Sequence, residues 1–262
     1  MRAAKVTAQR GHDVHLYEAG DRLGGQVLSI LKVSTRSGYE SVIRYLEGEI
    51  QRRGVAVHLG EKATAESILA AAPDAVVVAT GALPLKTGYS ASTPHIKRMP
   101  GVDQDHILTV DEVFNHPDRL GQDVVLIDEF GQYEAQITAE YIGQLGKHVT
   151  FVTRHPYAGT KVDGLSLYDY GVRLAEHRMT THPMTAVTSI DDHTVRASNL
   201  LSGADVELRA DTVVLVMGKL PDESLYHELR GCVPALHRVG DCVAPRLITD
   251  AIYEGNQAGR AV

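Results

Sequence analysis

Arg238-Val239-Gly240-Asp241-Cys242-Val243-Ala244-Pro245 runs into Ile248-Thr249-Asp250-Ala251-Ile252-Tyr253-Glu254-Gly255-Asn256-Gln257-Ala258-Gly259-Arg260. The pattern reads as a strand ending in Gly-Asp, a short loop, and a helix with small residues on one face. A carboxylate at the C-terminal tip of a strand accepts hydrogen bonds from a sugar-like polyol. The N–H groups that open the next helix face an anion. A surface turn before an ordinary terminal helix would also contain Gly-Asp, so the rest of the chain must decide between the two.

Working backwards, the chain alternates apolar strands with helices in two cycles. In the first, residues 3–10 read as a helix stopped by Gly11, 14–18 as a strand, 39–53 as a helix, 55–59 as a strand, 65–72 as a helix and 75–79 as a buried strand. Residues 82–103 hold Pro84, Pro94 and Pro100 and read as a crossing loop. In the second cycle, 124–128, 149–153 and 213–218 are buried strands and 132–145 and 165–176 are helices. Residues 185–189, 193–197 and 206–209 suggest a small antiparallel meander. Alternation of this kind implies an α/β fold with parallel sheets covered on both faces. The expected architecture is two nested Rossmann-like lobes of the nucleotide-binding type. The first is built from 1–106 and closed by 223–262, and the second, 107–222, is inserted into it.

Composition narrows the chemistry. A formal charge of −7 gives no electrostatic reason to expect nucleic acid or an anionic membrane. No apolar run approaches the roughly 18 residues of a membrane span, and the cytoplasm is the expected compartment. The two cysteines, Cys232 and Cys242, are ten positions apart. They form no CxxC pair and cannot supply the four ligands of an iron–sulfur cluster. The 13 histidines are scattered without HExxH spacing, so no metal site is expected. His155 and His182, each followed by proline, lack a partner at a defined spacing and read as loop residues. No nucleophile elbow or acid–base pair is visible.

Three further segments bear on ligand binding. Glu18 ends the second strand of the first lobe, where a carboxylate takes the hydroxyls of an adenosine ribose. Arg22-Leu23-Gly24-Gly25-Gln26 follows, combining glycines that admit close backbone approach with a cation for phosphate. Val76-Val77-Val78-Ala79-Thr80-Gly81 is an apolar strand running into Thr-Gly. In the second lobe, Ile127-Asp128-Glu129-Phe130-Gly131-Gln132-Tyr133 occupies the strand-to-helix turn where a dinucleotide would place its phosphates. Only Gly131 remains of a glycine-rich turn, and two acidic residues put negative charge there, so NAD(P) is not expected to bind. Arg154, just past the next strand, suits either a 2′-phosphate or solvent.

Taken in order, Glu18-Ala19-Gly20-Asp21-Arg22-Leu23-Gly24-Gly25-Gln26, Ala79-Thr80-Gly81, Asp128-Glu129-Phe130-Gly131-Gln132-Tyr133 and Gly240-Asp241 resemble the C-terminal half of a flavoenzyme family. That family contains trimethylamine, dimethylamine and histamine dehydrogenases, N-methylproline demethylase and 2,4-dienoyl-CoA reductase. The resemblance spans essentially the whole chain. It implies that FAD, or only ADP, is held by Glu18, Arg22, Gly24, Gly25, Gln26, Thr80, Gly81, Gly240, Asp241 and Thr249, with Asp241 on the flavin's ribityl chain. FMN and a 4Fe–4S cluster are then expected only in a barrel-bearing partner or N-terminal part. The family's cluster cysteines, first strand and Gly-x-Gly-x-x-Gly turn are not found here. The chain therefore reads as a fragment, a truncated gene product or a subunit whose sheet another polypeptide completes, and an oligomer is expected. The activity implied is that of an amine dehydrogenase- or demethylase-like electron-transfer flavoenzyme, with little turnover by this chain alone. The alternatives are a non-catalytic scaffold that docks an FMN/Fe–S barrel, or part of an NADPH-dependent enoate or dienoyl-CoA reductase.

Overall fold

Helix α1 (Arg2–Gln9) opens the chain and leads into β1 (His15–Glu18). A short helix, α2 (Val27–Ile30), precedes α3 (Glu40–Arg52), whose apolar residues recur at helical spacing so that Ile43, Leu46 and Ile50 are buried together. Then come β2 (Ala56–Leu59), α4 (Ala65–Ala71), β3 (Ala75–Val78) and β4 (Ala82–Pro84). The second cycle contains β5 (Ile107–Thr109), α5 (Val110–Asn115), β6 (Asp123–Asp128), α6 (Tyr133–Gln144), β7 (His148–Thr153), α7 (Gly164–Glu176) and β8 (Thr180–His182). The meander β9 (Thr185–Asp191), β10 (Thr194–Asn199) and β11 (Asp205–Arg209) and the strand β12 (Thr212–Val216) complete it. The chain ends with β13 (Lys219–Pro221), α8 (Ser224–Leu229), β14 (Ala235–Arg238) and α9 (Ile248–Ala261). This computed structural model describes residues 1–262.

The chain divides into two units. Unit 1 comprises residues 1–31, 35–83 and 219–262, and unit 2 comprises 32–34 and 84–218. The nested α/β arrangement expected from the alternation is thus the one observed. The proline-containing stretch 82–103 carries only the short strand β4, whereas β5 and α5 lie in a segment for which the sequence pattern predicted no element.

In unit 1, β1 pairs with β2 in parallel, with Tyr17 opposite His58. β3 pairs with β14, also in parallel, with Val78 opposite Arg238. These are separate two-stranded sheets, and β4 pairs with β13. Leu16 packs with Ala4, Leu23, Ile50 and Val55, while Val78, Leu229 and Cys242 form a second core. The small-residue face of α9 has a physical cause. A Cβ at Gly259 would stand 2.8 Å from the Ala3 carbonyl and from Val6 Cβ, so glycine lets α1 and α9 approach closely.

Unit 2 is built on one parallel five-stranded sheet, ordered β5-β12-β6-β7-β8. Alternation along β6 sends Val124 and Leu126 to one face, where they meet Ile142 and Phe114 from the helices. Val125 and Ile127 go to the other face, against Val187, Ile190 and Val195 of the meander. Covering both faces explains why β6 and β12 read as continuous apolar runs. No helix is long and apolar enough to cross a membrane.

Candidate functional site

The Gly-Asp tip is built by β14 and its neighbour. Val239 N–H extends the ladder to the Val78 carbonyl, and Gly240, at φ +70°, then turns the chain into a 3-10 turn, Gly240–Cys242. The buried Cys242 thiol lies 3.2 Å from the Val78 and Val239 carbonyls and pins the turn against β3. Glu254, from α9, accepts the Gly240 N–H at 2.7 Å and pairs with Arg246. Asp241 is thereby presented with one oxygen held, Oδ1 accepting the Arg246 N–H at 3.2 Å. Its Oδ2 accepts only a long 3.4 Å bond from Gln26 Nε2. Gln26 Oε1 in turn accepts a 2.8 Å bond from Lys219 Nζ. Three segments far apart in sequence, the loop after β1, the start of β13 and the turn after β14, therefore meet at one exposed polar cluster.

The remaining residues singled out in the sequence fall around unit 1 as follows. Thr80 and Gly81 follow β3, the strand beside β14. Thr80 Oγ1 donates to the Asp222 carbonyl at 2.6 Å, and Gly81, at φ +83°, accepts the Asp222 N–H at 3.0 Å. Glu18 stands at the tip of β1, with Oε1 accepting the Gly20 N–H at 2.8 Å. It shares no hydrogen bond with the Asp241 cluster. Arg22 pairs with Glu40 at the start of α3, at 3.2 Å. Gly24 is a packing glycine, since a Cβ there would stand 2.8 Å from Ile43 and 2.9 Å from Leu28. Gly25 is exposed and borders open space. Thr249 is exposed in the first turn of α9.

Lys219, Arg246 and Glu254 went unnoticed in the sequence. The partners of Lys219 and Asp241 on Gln26 lie 193 and 215 residues away, beyond any local pattern. The donor set fits an adenine nucleotide carrying a polyol. One carboxylate oxygen is weakly engaged and its neutral partner is exposed, while Lys219 is held on Gln26 and Arg246 is paired with Glu254. No group of three or more histidine, cysteine, aspartate or glutamate side chains is placed to hold a metal ion.

Unit 2 treats its strand tip differently. Asp128, the last residue of β6, is 2% exposed. Its Oδ1 accepts the N–H groups of Phe130 (3.1 Å) and Gly131 (2.9 Å), and its Oδ2 accepts the Thr153 hydroxyl at 3.1 Å. Burial pushes its carboxyl above the usual carboxylate range, against the opposing pull of these hydrogen bonds.

No family model matches the chain. The N,N-dimethylglycine/sarcosine dehydrogenase of Chromohalobacter salexigens is 29% identical over 97% of the chain and 41% of its own length. The NADH oxidase of Thermoanaerobacter brockii is 30% identical over 98% of the chain and 38% of its own length. Among solved structures, histamine dehydrogenase from Rhizobium sp. 4-9 matches with a TM-score of 0.92 at 25% identity, over 100% of this chain and 42% of its own. The chain resembles this flavoenzyme family along essentially its whole length. It matches the FAD/NAD(P)-binding C-terminal portion of these enzymes and spans 38% to 41% of the two curated relatives named. The thioredoxin reductase of T. acidophilum, at 15% identity and a TM-score of 0.66, shares the fold alone. The relatives are flavin-dependent oxidoreductases, amine dehydrogenases and reductases among them.

Proposed function

We propose that the chain is the adenine-nucleotide-binding part of a flavin-dependent oxidoreductase, most like the amine dehydrogenases and demethylases that pass electrons onward. FAD or ADP is held by unit 1. Glu18 takes the adenosine ribose, and Asp241 takes polyol hydroxyls in place of the Gln26 amide. The backbone beside Gly25, Gly81 and Gly240 gives close approach, and Arg22 and Thr249 line the same tips. The reading is supported above all by the Lys219–Gln26–Asp241 cluster, a half-buried carboxylate past a strand tip whose partner on one oxygen is an exposed amide at 3.4 Å. A bound flavin would supply the electron-carrying chemistry. The chain's own part is to bind and orient. The Arg246 N–H fixes the Asp241 carboxylate, and the Cys242 thiol holds the turn that carries it. FMN, the 4Fe–4S cluster and the substrate site belong, in this reading, to a barrel in the remaining length of such enzymes or in a partner chain.

The test is the visible spectrum of the purified protein, followed by nucleotide analysis after denaturation and by titration with FAD and ADP. Bound flavin or bound ADP supports the reading, flavin pointing to electron transfer and ADP to a structural nucleotide. A protein that takes up neither overturns it. Asp241→Ala should weaken retention at least about tenfold, as expected for lost charge-assisted hydrogen bonds. Unchanged retention removes Asp241 from the site.

A further inference from the structure

In an open α/β sheet the ligand groove lies beyond the C-terminal ends of the strands, where the strand order reverses. In unit 2 that point is the border of β12 and β6, and the phosphates would sit at the turn between β6 and α6. This is where the protein has placed its own carboxylates. The Phe130 and Gly131 N–H groups, which would face a phosphate, both donate to Asp128. Glu129 is 9% exposed, and its Oε1 accepts the Ala91 N–H at 2.9 Å while standing 3.3 Å from Arg154 Nε. Arg154 Nε also donates to Ser92 Oγ at 3.1 Å. The cation at the tip of β7, where a dinucleotide presents its adenosine 2′ group, is thus neutralised and tied to the strap around Ala91.

The other side is closed as well. His155 Nε2 lies 3.0 Å from the Glu129 carbonyl, Lys161 N–H donates to the Gly131 carbonyl at 2.9 Å, and Tyr133 donates to Asp163 at 2.6 Å. A side chain at Gly131 would run into the His155 ring, with Cβ at 3.0 Å. The space left beside Asp128, Glu129 and Arg154 is about 10 Å³, room for one water at most. A dinucleotide's phosphates would have to enter against two buried carboxylates, in a setting where like charges repel far more strongly than in water.

We infer that unit 2 is a nicotinamide-type fold latched shut by its own side chains, with Asp128 and Glu129 standing where the anionic groups of NADH or NADPH would bind. This goes beyond the assignment of unit 1 and does not depend on it. The residues present do not fit a nicotinamide dinucleotide, so electrons do not enter this chain through one bound at unit 2. Glu129 is the latch, joining the strap to Arg154.

The test uses the full chain and its Glu129→Ala, Glu129→Gln and Arg154→Ala variants. Amide hydrogen exchange is read at Ala91 to Thr93, and binding is read by fluorescence titration with NADPH and NADH. The wild type should show no saturable binding up to about 1 mM, a free energy weaker than about −4 kcal/mol. Glu129→Ala should speed exchange at Ala91 about tenfold or more, through loss of one part-buried charge-assisted bond. Glu129→Gln, which keeps an acceptor for that N–H, should do so less. NADPH binding gained in Glu129→Ala and lost again when Arg154→Ala is added would also support the latch. Wild-type NADPH or NADH binding that survives Asp241→Ala but disappears in Arg154→Ala would overturn it, as would exchange at Ala91 unaffected by Glu129→Ala. Binding abolished by Asp241→Ala instead lies in unit 1 and leaves the latch standing.

Discussion

Asp128 and Asp241 occupy the same kind of position, the C-terminal end of a parallel strand whose chain turns next toward a helix, yet the two units use them in opposite ways. In unit 2 the strand is the middle of five, and the carboxylate is buried and turned back onto the N–H groups of its own turn. In unit 1 the strand belongs to a two-stranded sheet, and the carboxylate faces an exposed glutamine through a 3.4 Å bond. The fold sets where the charge sits. The neighbours decide whether it is fully engaged as a structural acceptor, as Asp128 is, or only weakly engaged on one oxygen, as Asp241 is.

The largest effect that would break this comparison is in stability. Asp128→Ala leaves the buried Gly131 N–H, the part-buried Phe130 N–H and the buried Thr153 hydroxyl without their acceptor, and should destabilise unit 2 by about 2–4 kcal/mol. Asp241→Ala removes a bond to an exposed amide and one to a backbone N–H, and should change stability by less than about 1 kcal/mol. Urea unfolding of both variants decides the matter. Equal losses would mean that Asp241 is as structural as Asp128.

This contrast also marks what the sequence could disclose. Strand and helix alternation is a short-range pattern, so the nested α/β architecture was readable from residue order, as was the small-residue face of α9 that meets α1. The charge of Asp128 and Glu129 was visible too, and it argued against a phosphate in the turn. What residue order did not disclose was that Asp128 folds back onto Gly131, or that Glu129 joins Arg154 to Ala91. Those contacts depend on side-chain direction and on a strap roughly 40 to 60 residues away in sequence. His155 read as a loop histidine, whereas it packs on Gly131 and reaches the Glu129 carbonyl. Likewise, Lys219 carries no local signal for its place beside Gln26.

A smaller effect, in pH dependence, sharpens the comparison inside unit 2, because Asp128 and Glu112 shift in opposite directions. Burial raises Asp128, so across the range from the ordinary carboxylate value up to its folded value the folded state binds more protons. Stability therefore falls as pH rises through that window. For Glu112, burial works upward but is outweighed by hydrogen bonds from Thr109 and Lys86, leaving its pKa lowered to about 2. That stability is complete above the unfolded value of 4.5 and is lost as pH falls toward 2. Solvent screening limits it to about 1–2 kcal/mol. Glu112→Gln should flatten the acid limb of a stability-against-pH curve, and Asp128→Asn should flatten the limb above the ordinary carboxylate range. A variant that left its own limb unchanged would show that its carboxylate titrates alike in the folded and unfolded chain.

The smallest effect separates the units at two helix starts of the same design. In α4 of unit 1, Thr64 accepts the Ser67 N–H and Ser67 accepts the Thr64 N–H, both on the exposed surface. In α5 of unit 2, Thr109 and Glu112 exchange the same pair of bonds, but Thr109 is 4% exposed and Glu112 also pairs with Lys86. Losing a cap leaves an N–H without its partner, and water replaces that partner only where it can reach. Thr64→Ala should therefore lie near the low end of capping effects, about 0.5 kcal/mol, and Thr109→Ala near the high end, about 2 kcal/mol. Thermal unfolding of the two variants ranks them. If Thr64→Ala proved the more damaging, burial would not be what distinguishes the polar groups of unit 2 from those of unit 1, and the contrast between Asp128 and Asp241 would need another cause.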